Sequence, residues 1–243
     1  MNYIDCHSHL LPGVDDGSQS MEESLRNLCD LRLQGVTKAI ITPHVNSDYI
    51  RDHWIETPIP NNELRRVFDA LRRKCGEAPE RYPSLVLGSE FYYDPRKGGP
   101  IDPIPMGDSG YVLLELPYES NLDNVITAVE AIRSRGFKVM LAHPEKYDAF
   151  KKDWLNSLFW LRDNPEVKVQ IEAWDTTQGN SCTWCFIETR SAHVLGTDSH
   201  GDHRPPAYAK AVDALLRWAG DDPDRQAYVR RLTEENAREL FGL

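Results

Sequence analysis

Two histidines, His7 and His9, stand one residue apart at the head of the stretch HSHLLPGVDDG. In an extended chain, residues two apart point to the same side, so both imidazoles can face one point, as an H-x-H metal pair requires. A paired Asp, Asp15 and Asp16, closes the same stretch. Side chains of these types recur far along the chain, in Pro43–His44, Ser89–Glu90, Glu115 within LLELP, His143–Pro144–Glu145 and Asp198–Ser199–His200. Imidazole and carboxylate together suit borderline divalent metals. Glu115 is the sharpest sign, because a carboxylate among apolar neighbours is costly to bury unless paired or metal-bound. Taken singly, each residue reads equally well as a cap or a surface group. Their recurrence is what asks for a common cause.

The elements that must position them follow from the hydropathy pattern. Short apolar, β-branched runs predict strands at Tyr3–Cys6, Ala39–Thr42, Leu85–Gly88, Tyr111–Leu116, Lys138–Ala142, Lys168–Glu172 and His193–Thr197. Helical spacing predicts Met21–Leu33, with Ser20 as N-cap, then Asn61–Cys75, Leu122–Arg135, Asp153–Arg162, Cys182–Ser191, Ala207–Trp218 and Asp224–Phe241. Asp94–Pro105 reads as an excursion over one face. The repeating βα order implies a parallel sheet with right-handed crossovers, and about seven such units suggest an α/β barrel rather than an open sheet. In such folds chemistry gathers where strands run into loops. Six of the predicted strands end in His, Asp or Glu.

The 243 residues are 40% hydrophobic and carry a formal net charge of −10, from 38 acidic side chains against 28 Lys and Arg. No basic stripe stands out, which argues against binding a nucleic-acid backbone. Five scattered cysteines fit a reducing cytoplasm better than a disulfide framework. No basic stretch followed by an apolar segment opens the chain, and no apolar run spans a bilayer. The expectation is therefore a cytoplasmic protein without membrane insertion.

In order, HSHLLPGVDDG, TPH, GSEFYY, LLELPY, AHPEKY and TDSH resemble the motifs of the PHP (polymerase and histidinol phosphatase) family. With RPP near the end, they are most similar to its bacterial manganese-dependent tyrosine phosphatases, associated with capsule and exopolysaccharide synthesis. The resemblance runs from Met1 to about Tyr208. It implies a distorted (β/α)7 TIM-like barrel and three divalent metal ions, manganese first, with iron or zinc also suited; with no low-complexity linker in the sequence, 1–243 reads as a single domain. Carried over by position, the implied metal ligands are His7, His9, Asp16, His44, Glu90, Glu115, His143, Asp198 and His200, with Glu115 bridging two ions. Four carboxylates against three divalent ions leave a net charge of +2, a trap for a phosphate monoester dianion. Arg204 and Lys146 are the implied phosphate clamp. The implied activity is hydrolysis of protein phosphotyrosine, with a bacterial tyrosine kinase as partner. A histidinol-phosphatase-like small-molecule phosphatase is the alternative, and a metal-dependent nuclease a weaker one.

Three departures stand out. Lys146 replaces the family's Arg in HPER and loses the bidentate fork. Val45 follows His44 where relatives often carry a second His. The segment Ile171–Phe186 matches the family's small-residue pattern poorly. Other candidates read as structural. Cys182-x-x-Cys185 lacks a second pair. Cys75 and Arg81 have the spacing of a thiol phosphatase loop, but two acids lie between them where a phosphate needs donors. His53 and His203 read as loop residues and His193 as a strand residue. Trp54, Tyr92, Tyr93 and Tyr118 are aromatics that could stack on a phenyl ring.

Overall fold

The computed structural model describes residues 2–45 and 60–243; His53 and Trp54 lie outside them. Among the described residues eight strands, all paired in parallel, form two sheets. β1 (Tyr3–Asp5), β2 (Val36–Ile41) and β3 (Ser84–Leu87) make the first; β4 (Glu90–Tyr92), β5 (Tyr111–Glu115), β6 (Lys138–Ala142), β7 (Lys168–Glu172) and β8 (Val194–Gly196) make the second. Strands β3 and β4 are one line interrupted at Gly88–Ser89. Ahead of the break β3 pairs with β2, and past it β4 pairs with β5. The gap is bridged by Glu90 N–H donating to Pro43 O at 3.0 Å. On the other side the ring closes through Cys6 N–H to Leu195 O at 3.2 Å and Asp198 N–H to His7 O at 2.8 Å. The result is a seven-staved parallel barrel.

The strands are short and their interiors apolar on both faces, as buried parallel staves must be. All five residues of β5, YVLLE, are buried. The helices are α1 (Met21–Leu33), α2 (Asn61–Gly76), α3 (Leu122–Arg133), α4 (Asp148–Lys152), α5 (Trp154–Asp163), α6 (Ala173–Gln178), α7 (Ser181–Glu188), α8 (Tyr208–Ala219), α9 (Pro223–Arg230) and α10 (Asn236–Phe241). Ser20 caps α1 by accepting from Glu23 N–H, as the sequence predicts. The predicted closing helix is α9 and α10 joined by a π-helical stretch, Arg231–Glu235.

The core has two parts. One lies between staves and helices, with Leu28, Ile41, Phe68, Leu114 and Leu141 among its members. The other fills the barrel itself, with Ile4, Ile40, Leu113, Met140 and Val194, and is closed at the strands' N-terminal end by Phe241, edge-on to Tyr111 at 6.2 Å. With that end plugged by apolar side chains, polar groups are left to the C-terminal end.

Candidate metal centre

The C-terminal ends of the staves deliver all nine predicted ligands to one place. His7, His9, His44, Glu90, Glu115, His143, Asp198 and His200 are each no more than 6% exposed, and Asp16 lies beside them. The imidazoles are aimed by neighbours. His7 Nδ1–H donates to Gln170 Oε1 at 3.0 Å, His9 Nδ1–H to Asp15 Oδ2 at 2.8 Å, and His200 Nδ1–H to the Asp198 carbonyl at 2.9 Å. Each bond leaves Nε2 pointing inward, where His7 and His9 bring their Nε2 atoms to 3.1 Å from each other. Two imine nitrogens that close, both facing carboxylates, are the arrangement of shared cation ligands.

The carboxylates fill the space between them. Glu90 Oε2 lies 3.3 Å from His7, 3.1 Å from His9 and 3.3 Å from His44, while its Oε1 is 2.9 Å from His143 Nε2. Asp198 Oδ1 is 3.3 Å from both His7 and His9. Asp16 Oδ1 is 3.4 Å from His200 and 3.7 Å from His44. Three groupings hold ligand atoms within 4.8 Å of one another: His7, His9, Glu90 and Asp198; His9, Asp16, His44 and His200; and His44, Glu90 and Glu115. His143 stands outside them and reaches the cluster through Glu90.

The donor set fits divalent cations. Buried oxygens Asp16 Oδ1, Glu115 Oε2 and Asp198 Oδ1 have no hydrogen-bond partner. Burial, then Glu90 and Asp198, push the Glu115 carboxyl well above the usual range. Burial also opposes the charges of Glu90 and Asp198, but His7 outweighs it, with His44 for Glu90 and Arg204 for Asp198, and both stay well below. Burial disfavours the His9 charge, yet Asp15 and its other acidic neighbours hold its pKa well above the ordinary value. Acids forced apart in this way are carboxylates crowded without enough positive charge. Divalent ions would supply it.

The backbone is bent to suit. His143 (φ 31°) and Asp198 (φ 50°) are two of three non-glycine residues with positive φ among the described residues. Such conformations cost roughly 1–3 kcal/mol each and cluster at functional sites. Glycine is required at position 17, where a Cβ would stand 1.9 Å from His9 O. The tight loop lets Gly17 N–H donate to Asp15 Oδ1 at 2.9 Å, and Asp15 Oδ2 also accepts from His44 N–H at 3.0 Å. Asp15 therefore aims the candidate ligands His9 and His44 while Asp16 faces them. Asp15, Gln170 and Asp5, which accepts from Thr197 N–H at 2.8 Å, were missed by sequence reasoning. Only the doubled Asp carried a signal for any of them.

The two predicted clamp residues are placed differently. Arg204 lines a cavity of about 520 Å³ above the cluster, beside Glu115, Tyr118, Trp174, Asp198 and His203. Its Nη2 is 3.2 Å from Asp198 Oδ2. Lys146 is not among the lining residues. It is paired with the buried Glu172, with Asp198 Oδ2 at 3.6 Å, and these two acids raise its pKa against the effect of burial. The bland candidates behave as expected. Cys75 packs in the core, and burial pushes its thiol up to about 11. His193 Nδ1 accepts from Val169 N–H at 3.2 Å. Cys182 and Cys185 are free thiols.

A family model described as capsular polysaccharide synthesis, CpsB/CapC, matches residues 3–242. The tyrosine-protein phosphatase CpsB of Streptococcus pneumoniae is 27% identical over 93% of this chain and 95% of that protein. The putative tyrosine-protein phosphatase CapC of Staphylococcus aureus is also 27% identical, over 94% of this chain and 86% of its own length. A solved structure from work on YwqE of Bacillus subtilis and CpsB of Streptococcus pneumoniae, described as metal-dependent tyrosine phosphatases, superposes with a TM-score of 0.71 at 20% identity, over 95% of both chains.

Proposed function

The chain belongs to the CpsB/CapC capsular polysaccharide synthesis family, and from that membership and its buried donor set we propose that it is a metal-dependent phosphatase acting on protein phosphotyrosine. One observation carries the proposal: four carboxylates and five imidazoles converge, with unpartnered oxygens, under a cavity lined by Arg204. His7, His9, Asp16, His44, Glu90, Glu115, His143, Asp198 and His200 would hold three divalent ions, manganese first. Bound there, the ions would supply the positive charge a phosphate dianion needs and lower the pKa of water toward neutrality.

The chain's own side chains do the rest. Arg204 offers a planar fork to two phosphate oxygens. Asp198 holds that guanidinium over the floor, and the strained Asp198 backbone aims both. Lys146 adds charge behind Asp198 and keeps Glu172 neutralised. A tyrosyl leaving group, with a phenol pKa of about 10, departs with less protonation help than an alkyl alcohol.

We read the whole of 1–243 as one phosphatase domain, working in the cytoplasm on a phosphotyrosine protein such as a tyrosine kinase of capsule synthesis. No helix among the described residues is long and apolar enough to cross a membrane. The test is metal analysis of the purified protein, with hydrolysis of a phosphotyrosine peptide, histidinol phosphate and single-stranded DNA measured in parallel. The peptide is expected to turn over fastest. Preferential cleavage of histidinol phosphate or DNA would reassign the substrate.

A further inference from the structure

We infer that Trp174 and Tyr118 form an aromatic wall that receives the ring of the substrate, making this site select aryl over alkyl phosphate groups. The inference rests on the phosphatase reading and goes further, to which side chains choose the ester. Trp174 lies in the segment Ile171–Phe186, where the sequence departs from the family's pattern.

Both rings line the same cavity as Arg204 and His200, and both are large and open to water, Trp174 at 47% and Tyr118 at 50% exposure. Among the described residues Trp174 makes no contact with another aromatic ring, so the exposed part of its indole is available to a ligand. Solvent-exposed aromatics at the rim of a polar cavity mark a binding surface more than a packing one. Their placement is built into the fold. Tyr118 stands edge-on to His143, with ring centroids 6.2 Å apart and planes at 87°, and its carbonyl accepts from Asp148 N–H at 2.7 Å. Trp174 is the second residue of α6, directly past β7. The start of that helix is pinned by Glu172 N–H donating to Glu145 Oε1 at 2.7 Å. Pro205 adds a third apolar surface next to Arg204.

With the phosphate held by Arg204 and the floor of the cavity, the ester group must leave through the opening these residues line. A phenyl ring there covers exposed surface of the aromatic side chains that line the cavity. A seryl arm has no ring to offer and leaves the indole in water.

The test uses two non-hydrolysable probes, benzylphosphonate and methylphosphonate, titrated by calorimetry into manganese-loaded protein. Trp174→Leu keeps bulk but loses the π-face, and Trp174→Phe keeps a ring. Trp174→Leu and Tyr118→Leu should each weaken benzylphosphonate about fivefold while methylphosphonate changes less than about twofold, and Trp174→Phe should recover most of the loss. Metal content is measured on every variant to show that the floor is intact. Equal loss for both probes, or no loss for either, overturns the wall. Turnover of phenyl phosphate by the unaltered protein separates the two levels. With no turnover, the phosphatase reading falls and this inference with it. With turnover but unchanged probe selectivity, the wall alone falls.

Discussion

Single residues divide the acids of the cluster into those placed to touch metal and those placed to aim the candidate ligands. Glu115 is buried in β5 with an unpartnered oxygen. Glu115→Gln keeps the shape and removes the charge, so bound metal and turnover should fall together; normal metal stoichiometry would exclude Glu115 from the centre. Among the described residues the Asp15 carboxylate bonds to His9 and to the backbone N–H groups of Gly17 and His44. Asp15→Asn should retain the site with metal affinity weaker by about ten- to a hundredfold, readable in a competitive chelator titration. The cationic pair should divide by role. Arg204→Ala should lose about ten- to a hundredfold in kcat/KM with metal content preserved, since a charge-assisted bond is worth roughly 1.5–3 kcal/mol. Lys146→Ala breaks a buried ion pair with Glu172, and should cost roughly 3 kcal/mol of stability, seen as a lower melting temperature, with a smaller effect on turnover.

At the scale of elements, the barrel works by plugging one end so that the other can be polar. Phe241 closes the apolar end. Phe241→Ala should destabilise the protein by about 3–5 kcal/mol in denaturant unfolding while the folded fraction keeps its metal affinity. Gly17→Ala should do the reverse: its Cβ would collide with His9 O, so the loop carrying Asp15 and Asp16 must shift and metal affinity should collapse before the fold does. Legibility followed the same division. Strands β6 and β7 and helix α1 match their expected bounds, because apolar runs and helical spacing are local signals. Strand β4 was absorbed into a loop because three residues interrupted by Gly88–Ser89 carry too short a pattern. Helices α4 and α6, of five and six residues, were missed for the same reason. Most of the candidate ligands were legible because they follow short apolar runs. Asp5 and Gln170 were not, because their partners, Thr197 and His7, lie more than 160 residues away in sequence.

At the scale of the whole molecule, a cluster of acids and imidazoles ties stability to pH and to metal. In the metal-free protein His7, His9 and Glu115 have raised pKa values, and burial raises Glu145 to about 8. A group with a raised folded pKa contributes stability below its unfolded value and loses it as pH rises through the folded one. The depressed groups, Glu90 and Asp198 among them, have already given their full contribution by neutral pH. Metal-free protein should therefore melt at lower temperature as pH rises from about 7 to 9. Metal needs deprotonated ligands, so the rise in melting temperature on adding Mn²⁺ should grow over the same range. A flat profile for both forms would mean that these groups do not share one site. The most direct test of the central claim follows metal and chemistry in a single titration. Chelator-stripped protein is titrated with Mn²⁺ while bound metal and hydrolysis of a phosphotyrosine peptide are read together. Stripped protein should show no turnover, turnover should rise with bound metal, and it should level off near three ions per chain; stripped protein that turns over at the loaded rate, or full loading without turnover, would rule out metal-dependent hydrolysis at this site.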